Sequence, residues 1–205
     1  MKGFSLSLHK RNKEWVKKNS KQKSKYDRGW KLAKQAARNC NKSFETKIKQ
    51  AREKEIEISK EFINHSLKCS PNFLGCYAED QLENLSLTSF PCFLIVNIDS
   101  SNMIGSHWIA IGIFQEKIEI FDSLGFDIFN WSRVPCSLLN FLHTTSRSRR
   151  VFVSPRLQSD DSNMCGFYCI YYIIRRAFSP FINLTDHFDL TDFTVNDFKL
   201  QQFFQ

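Results

Sequence analysis

An α+β domain carrying a basic helical extension is what this sequence predicts. Three observations predict it: strand-like apolar runs cluster in the middle of the chain, helix-like segments lie before and after them, and positive charge is confined to one end. Residues 1–60 hold 19 Lys and Arg against 6 Asp and Glu, whereas the remainder holds 10 against 15. The formal net charge of +8 therefore belongs to an arm, and the rest is mildly acidic. Strands flanked by segregated helices give an α+β arrangement rather than alternating βαβ units. The 205 residues suffice for one domain of ordinary size plus an appendage, divided here as 1–66 for the extension and 67–205 for the domain.

The elements follow in order. Residues 1–28 are lysine-rich and poor in large apolar side chains, too poor to bury a core. From Trp30 to Leu67 there is no proline or glycine, and Ala33, Ala36, Ala37, Cys40, Phe44, Ile48 and Ala51 recur at the helical period. One or two amphipathic basic helices are expected, with a break near Asn41 and Ser43 capping the second. Glu45 and Lys49 stand one turn apart and suit an ion pair. Pro71-Asn72 and Gly75 punctuate a loop. Strands are then expected at Cys92–Ile98, His107–Phe114 and Lys117–Phe121, the last two joined by a hairpin at Gln115-Glu116. Val134–His143 reads as a helix, Arg150–Val153 as a fourth strand, and Cys165–Phe178 as a helix ended by Ser179-Pro180. Phe193, Phe198 and Leu200 suggest a last packed turn or helix.

Composition also excludes classes. No apolar stretch approaches the ~18 residues of a membrane span, and the N-terminus lacks an apolar signal-peptide core. The seven cysteines (Cys40, Cys69, Cys76, Cys92, Cys136, Cys165 and Cys169) are odd in number and repeat no spacing. Free thiols in a reducing compartment, cytosol or nucleus, fit them best. His65, Cys69 and Cys76 could be read as zinc ligands, but without a CxxC pair no metal is expected.

One order of residues carries chemistry. Ser106-His107-Trp108 and Phe121-Asp122-Ser123 each lie at the edge of a strand-like run, and Gln158 precedes Cys165 by seven positions. A cysteine at about pKa 8.5 offers only a few per cent thiolate at neutral pH, and a helix N-terminus or neighbouring imidazolium can lower such values to roughly 3.5–7.5. Asn163 is read as the N-cap, which would set Cys165 in the first helical turn. Asp160 and Asp161 would oppose the thiolate if they faced the sulfur, and are expected to point to solvent. His107 would take the thiol proton and return it to a leaving amine. Asp122 would bond the other ring nitrogen and fix the tautomer. If the hairpin holds, both sit at the same end of neighbouring strands. Gln158 and the Cys165 N–H would face a developing oxyanion, where one donor is worth about 10²–10³ in rate. Each residue taken singly also has a plain reading: Cys165 as a buried thiol, His107 as a half-buried strand histidine, Asp122 as a turn residue and Gln158 as nothing in particular. Only their joint order favours catalysis.

Cys69-Ser70-Pro71-Asn72-Phe73-Leu74-Gly75-Cys76-Tyr77, Leu94-Ile95-Val96-Asn97, Ser106-His107-Trp108, Phe121–Phe126 and Gln158 through Asn163-Met164-Cys165-Gly166 together resemble the adenovirus endopeptidase (adenain) family. The Asp122-Ser123-Leu124 piece is closer to the related SUMO-specific (Ulp1-like) proteases. The resemblance covers about Cys69–Arg176. It implies a papain-like or adenain-like cysteine protease domain, with a central mixed sheet flanked by helices. It further implies His107 as general base, Asp122 orienting it, Gln158 in the oxyanion hole and Cys165 as nucleophile. Cleavage after glycine in precursor polypeptides, and a viral or mobile-element origin, are likewise implied. The chain departs from that family in using Asp122 where adenain has Glu, and in carrying the basic arm. Ser146-Arg147-Ser148-Arg149-Arg150 also lacks the cysteine through which adenain joins an activating peptide.

Adenain uses DNA as a cofactor, which draws attention to Lys17, Lys18, Lys21, Lys23, Lys25, Arg28, Lys31, Lys34 and Arg38, interleaved with Trp15, Tyr26 and Trp30. Arg147, Arg149 and Arg150 could add contacts from the domain. A solvated basic tail or nuclear-import signal reads equally from the same residues. No cofactor is needed for the chemistry itself; DNA would act as an activating polyanion. The expected protein is a monomer acting on polypeptides in the host nucleus or cytoplasm, or packaged in virions. Rival functions are a deconjugase of SUMO or ubiquitin-like proteins, and a non-enzymatic DNA-binding nucleoprotein whose cysteine domain has decayed.

Overall fold

The computed structural model describes residues 58–103, 105–129 and 134–204. The helices expected before Ile58, with the Ser43 cap and the Glu45–Lys49 pair, lie outside the described residues. Within them the order is α1 (Lys60–Leu67), β1 (Phe73–Ala78), a 3₁₀ turn (Glu79–Asn84), β2 (Cys92–Asn97), β3 (Trp108–Ile113) and β4 (Lys117–Phe121). There follow α2 (Cys136–Ser146), β5 (Arg150–Val153), α3 (Cys165–Phe178), a 3₁₀ turn (Phe193–Val195) and α4 (Asn196–Phe204).

The strands form one mixed five-stranded sheet in the order β1-β2-β3-β4-β5. The outer pairs, β1 with β2 and β4 with β5, are parallel, and the inner two pairs are antiparallel. This is an α+β domain. β2 and β3 are buried along their whole length, which is why their sequences are near-continuous apolar runs. The two-residue period nevertheless sorts their side chains. Phe93, Ile95, Trp108, Ala110 and Phe121 face the core built on α1, α3 and α4, where Phe62, Ile63, Tyr168, Tyr172 and Leu200 are buried. Leu94, Val96, Ile109, Ile111, Ile118 and Ile120 face a second core closed by Leu138 and Leu142 of α2.

α3 has few polar positions because it runs against the middle of the sheet, buried from Cys165 to Arg175. It is tied there by charge as well. Glu119 of β4 accepts from Tyr172 Oη (3.0 Å) and Arg176 Nε (2.6 Å), while Lys117 Nζ holds its other oxygen at 2.7 Å. α1 begins at Ser59, whose Oγ accepts from the Phe62 N–H (3.3 Å). Its Phe62, Ile63 and Leu67 are buried in the α3 core, so the expected boundary between residues 66 and 67 falls within this docked helix.

Several local expectations change. Phe73–Ala78, read as loop on account of Pro71 and Gly75, is a strand. The strand carries a bulge between Phe73 and Gly75, and Gly75 has φ +131°, so the glycine marks the irregularity inside the strand. The α2 helix starts and ends later than expected, with Pro135 as its N-cap. The β3–β4 hairpin closes through Phe114 N–H to Lys117 O (2.8 Å). Asn163 is not the cap of α3: Met164 occupies that position, and its N–H is taken by Ser162 Oγ at 3.3 Å. Among the described residues, no cluster of His, Cys, Asp and Glu could hold a metal ion, and no helix is long and apolar enough to cross a membrane.

Candidate active site

Sheet register sets the site. β3 and β4 pair antiparallel with Ala110 opposite Phe121, so the residues just before β3 and just after β4 emerge at one end of the sheet. Those residues are His107 and Asp122. His107 is held by the continued β2–β3 ladder, its carbonyl accepting from the Ile98 N–H at 3.1 Å. Its ring is buried, edge-on to Phe126 with centroids 6.0 Å apart. The ring Nε2 lies 2.8 Å from Asp122 Oδ1.

Asp122 is held through its main chain and through Oδ1, while Oδ2 is buried without a hydrogen-bond partner. Its N–H donates to Ser154 Oγ (2.9 Å), its carbonyl accepts from the same hydroxyl (2.8 Å), and its Oδ1 also accepts from the Leu124 N–H (2.9 Å). The chain then turns through Gly125, whose N–H donates to Asp122 O at 3.0 Å. Gly125 has φ +68°, and a Cβ there would stand 2.6 Å from the Arg156 backbone nitrogen. Only glycine suits both the left-handed backbone and this close approach. The turn thereby brings residues 122–125 against the segment that carries Gln158.

Cys165 is the first residue of α3, where helix N–H groups have no intrahelical acceptor and the dipole favours negative charge. It is 5 % exposed, and it lies near enough to His107 to act on the charge of that ring. Burial acts against a charged imidazole, but the hydrogen bonds to Asp122 and Cys165 and the charges of both outweigh it. The His107 pKa is accordingly raised from its ordinary 6.5 to about 10. Asp122 occupies Nε2, which leaves Nδ1 as the other ring nitrogen.

Gln158 is buried as well. Its Oε1 lies 2.6 Å from Ser123 Oγ, and its Nε2 donates to Ser162 O. The segment under it is braced by the N–H groups of Leu157 and Gln158, both donating to Ser123 O at 2.8 Å, and by Asn196 Nδ2 to Leu157 O at 2.8 Å. Arg156 adds a bond from Nε to Gln158 O (2.9 Å) and an ion pair to Asp160 (2.8 Å). Asp160 is 82 % exposed and Asp161 is exposed, so both carboxylates point to solvent. Cys169, one turn beyond Cys165, is sealed in the core with its Sγ on Trp108 O (3.3 Å), and burial pushes its thiol well up.

A pocket of about 430 Å³ adjoins the site, with Ile58, Lys60, Glu61, Asp99, Met103 and Trp108 among its walls. Trp108 follows His107 directly, and both Ile58 and Trp108 approach Gly166, the neighbour of Cys165.

The structure thus brings His107, Asp122 and Cys165 together, and ties Gln158 to Ser123, the residue that follows Asp122. It does not gather the arginines. Arg149 is turned inward, donating to Phe114 O and Thr145 O at 2.8 Å each and lying over the Phe90 ring, while Arg147 and Arg150 are exposed. Lys17, Lys18, Lys21, Lys23, Lys25, Arg28, Lys31, Lys34 and Arg38 lie outside the described residues. Sequence reasoning assigned no role to Ser123, Ser154 or Arg156. Only the position of Ser123, directly after the acid, could have signalled one.

No protein-family model matches the sequence, and no curated protein matches it. Among solved structures the chain is similar to the ASFV pS273R protease, with 17% identity and a TM-score of 0.46 over 71% of this chain and 63% of that one. The selenomethionine form of the same protease aligns at 23% identity and a TM-score of 0.39, over 56% and 43% of the two chains. This chain therefore spans less than two thirds of the length of either structure.

Proposed function

We propose that this protein is a cysteine-type endopeptidase. One observation carries the reading: a buried imidazole bonded through Nε2 to Asp122, with a cysteine at the start of a helix acting on the same ring. In the reaction, Cys165 Sγ forms a bond to the scissile carbonyl carbon as its proton resides on His107 Nδ1. The carbonyl π electrons move to oxygen, facing the Cys165 N–H and the Gln158 amide. Collapse breaks the C–N bond, and the leaving amine takes the proton from Nδ1. Water, deprotonated by His107, then attacks the thioester carbonyl, releasing the carboxylic acid and returning the thiol. Asp122 keeps the ring in the tautomer that both halves need.

The substrates proposed are precursor polypeptides of viral or mobile-element origin, cut after glycine; the adenain-like motifs support this choice. The pocket bordered by Trp108, the residue after His107, is proposed to receive part of an extended chain. The arm is proposed to meet DNA as an activating polyanion in the nucleus, cytoplasm or virion, its charge being the support. The test is hydrolysis of glycine-containing peptides by the full chain, beside SUMO and ubiquitin conjugates, with Cys165→Ala as control. Cleavage of the peptides that vanishes in the variant is expected. Preference for the conjugates would make the protein a deconjugase, and turnover persisting in Cys165→Ala would refute the assignment.

A further inference from the structure

A side-chain amide works in an oxyanion hole only when its nitrogen faces the substrate oxygen. Gln158 is too deeply buried for water to settle the matter, at 1 % exposure. Its two ends are instead committed to protein groups. Ser162 O, a carbonyl that can only accept, takes one Nε2 hydrogen, and the fully buried Ser123 hydroxyl donates to Oε1 at 2.6 Å. One Nε2 hydrogen remains for a ligand. The main chain of Ser123 grips the same residue, its carbonyl accepting the Gln158 N–H at 2.8 Å.

From this geometry we infer that Ser123 is a positioning residue for Gln158, a role that rests on the protease reading above. Its hydroxyl holds the amide in the productive orientation. By donating to Oε1 it also polarises the amide, making the remaining N–H a stronger donor as charge develops on the substrate. Asp122 and Ser123 then divide the work of one turn: the first orients the base through His107, and the second orients the oxyanion donor through Gln158. Neither hydroxyl nor amide is consumed, so no atom is transferred by Ser123.

The experiment is a double-mutant cycle in the full chain on a glycine-containing peptide, using Ser123→Ala, Gln158→Ala and both together. Alkylation of Cys165 by iodoacetamide, which forms no oxyanion, is measured alongside. Ser123→Ala is expected to lower kcat about tenfold, a fraction of the 10²–10³ carried by a whole donor, with KM within about twofold. The alkylation rate should stay at the parent value, and Ser123→Ala should cost nothing further in the Gln158→Ala background. An unchanged kcat, or an equal drop in both backgrounds, overturns the inference. If Ser123→Ala does not fold, Ser123→Thr, which keeps the hydroxyl, carries the test. It should retain kcat within about threefold of the parent, and a loss as large as that of Gln158→Ala overturns the role. A parent chain with no Cys165-dependent hydrolysis would instead sink the protease reading itself, so the two failures differ.

Discussion

Replacing Asp122 with asparagine removes one negative charge from beside the His107 ring while keeping the shape of the side chain. In the parent, burial disfavours the imidazolium, and the bonds and charges of Asp122 and Cys165 reverse that, raising the ring to about 10 from 6.5. That elevation favours the protonated ring in the folded form. An opposite charge at this range accounts for about 1–3 pH units of it. The Cε1–H resonance of His107, assigned with His107→Ala and followed by NMR from acidic to alkaline pH, should titrate near 10 in the parent. In Asp122→Asn it should titrate about 1–3 pH units lower. The direction carries over to stability. Because the folded-state value is raised, the added stability is fully present below pH 6.5 and is lost as pH rises through about 10. The gap in urea unfolding free energy between parent and variant should therefore be widest in the acidic-to-neutral range and close above pH 10. The alkaline limb of kcat, where His107 must protonate the leaving amine, should move down with the NMR value. A variant ring that still titrates near 10 would refute the claim that the Asp122 charge keeps the proton on the imidazole.

Other outcomes follow from the same geometry. Cys165→Ala and His107→Ala should each abolish peptide hydrolysis, whereas Cys169→Ala should mainly lower the unfolding midpoint; equal loss of turnover in all three would mean that the nucleophile is misassigned. Iodoacetamide followed by peptide mapping should mark Cys165 ahead of Cys76, Cys92 and Cys169, whose thiols burial pushes up, that of Cys92 to about 11. Gly125→Ala should cost about 3 kcal/mol in urea unfolding, from a Cβ pressed on Arg156 and a backbone in the left-handed region; a loss under 1 kcal/mol would show the turn to be soft. Glu119→Ala leaves Arg176, its side chain 11 % exposed, with the Pro180 and Ile182 carbonyls but no counter-charge, and should destabilise by about 3 kcal/mol. If the arm meets phosphates, affinity of the full chain for duplex DNA should fall steeply between low and moderate salt; a flat profile would remove DNA from the proposal.

The parts of this fold that could be read in advance are those governed by one periodicity and one strong terminator. β2 and β3 are apolar runs bounded by polar turns, β4 alternates, and α3 is a long apolar helix closed by Ser179-Pro180. β1 was illegible because its defining feature is an irregularity: Gly75 at positive φ and a bulge look, in one dimension, like a loop. The cap of α3 misled for a related reason. Asn163 has the chemistry of a cap, but Met164 takes the cap position and no side chain caps the helix. The order of His107, Asp122, Gln158 and Cys165 was visible because each sits at an element edge, and edges are marked by composition. Much of what holds them was not visible, since several supporting contacts span a long stretch of chain. Ser154 reaches Asp122 across 32 positions, Ser123 reaches Gln158 across 35, and Asn196 reaches Leu157 across 39. A serine in a turn carries no sign of the partner it will meet after folding. The nucleophile can thus be inferred from local pattern, but the groups that would aim its proton acceptor and its oxyanion donor emerge only from the register that sets β4 beside β3 and closes the Gly125 turn onto Arg156.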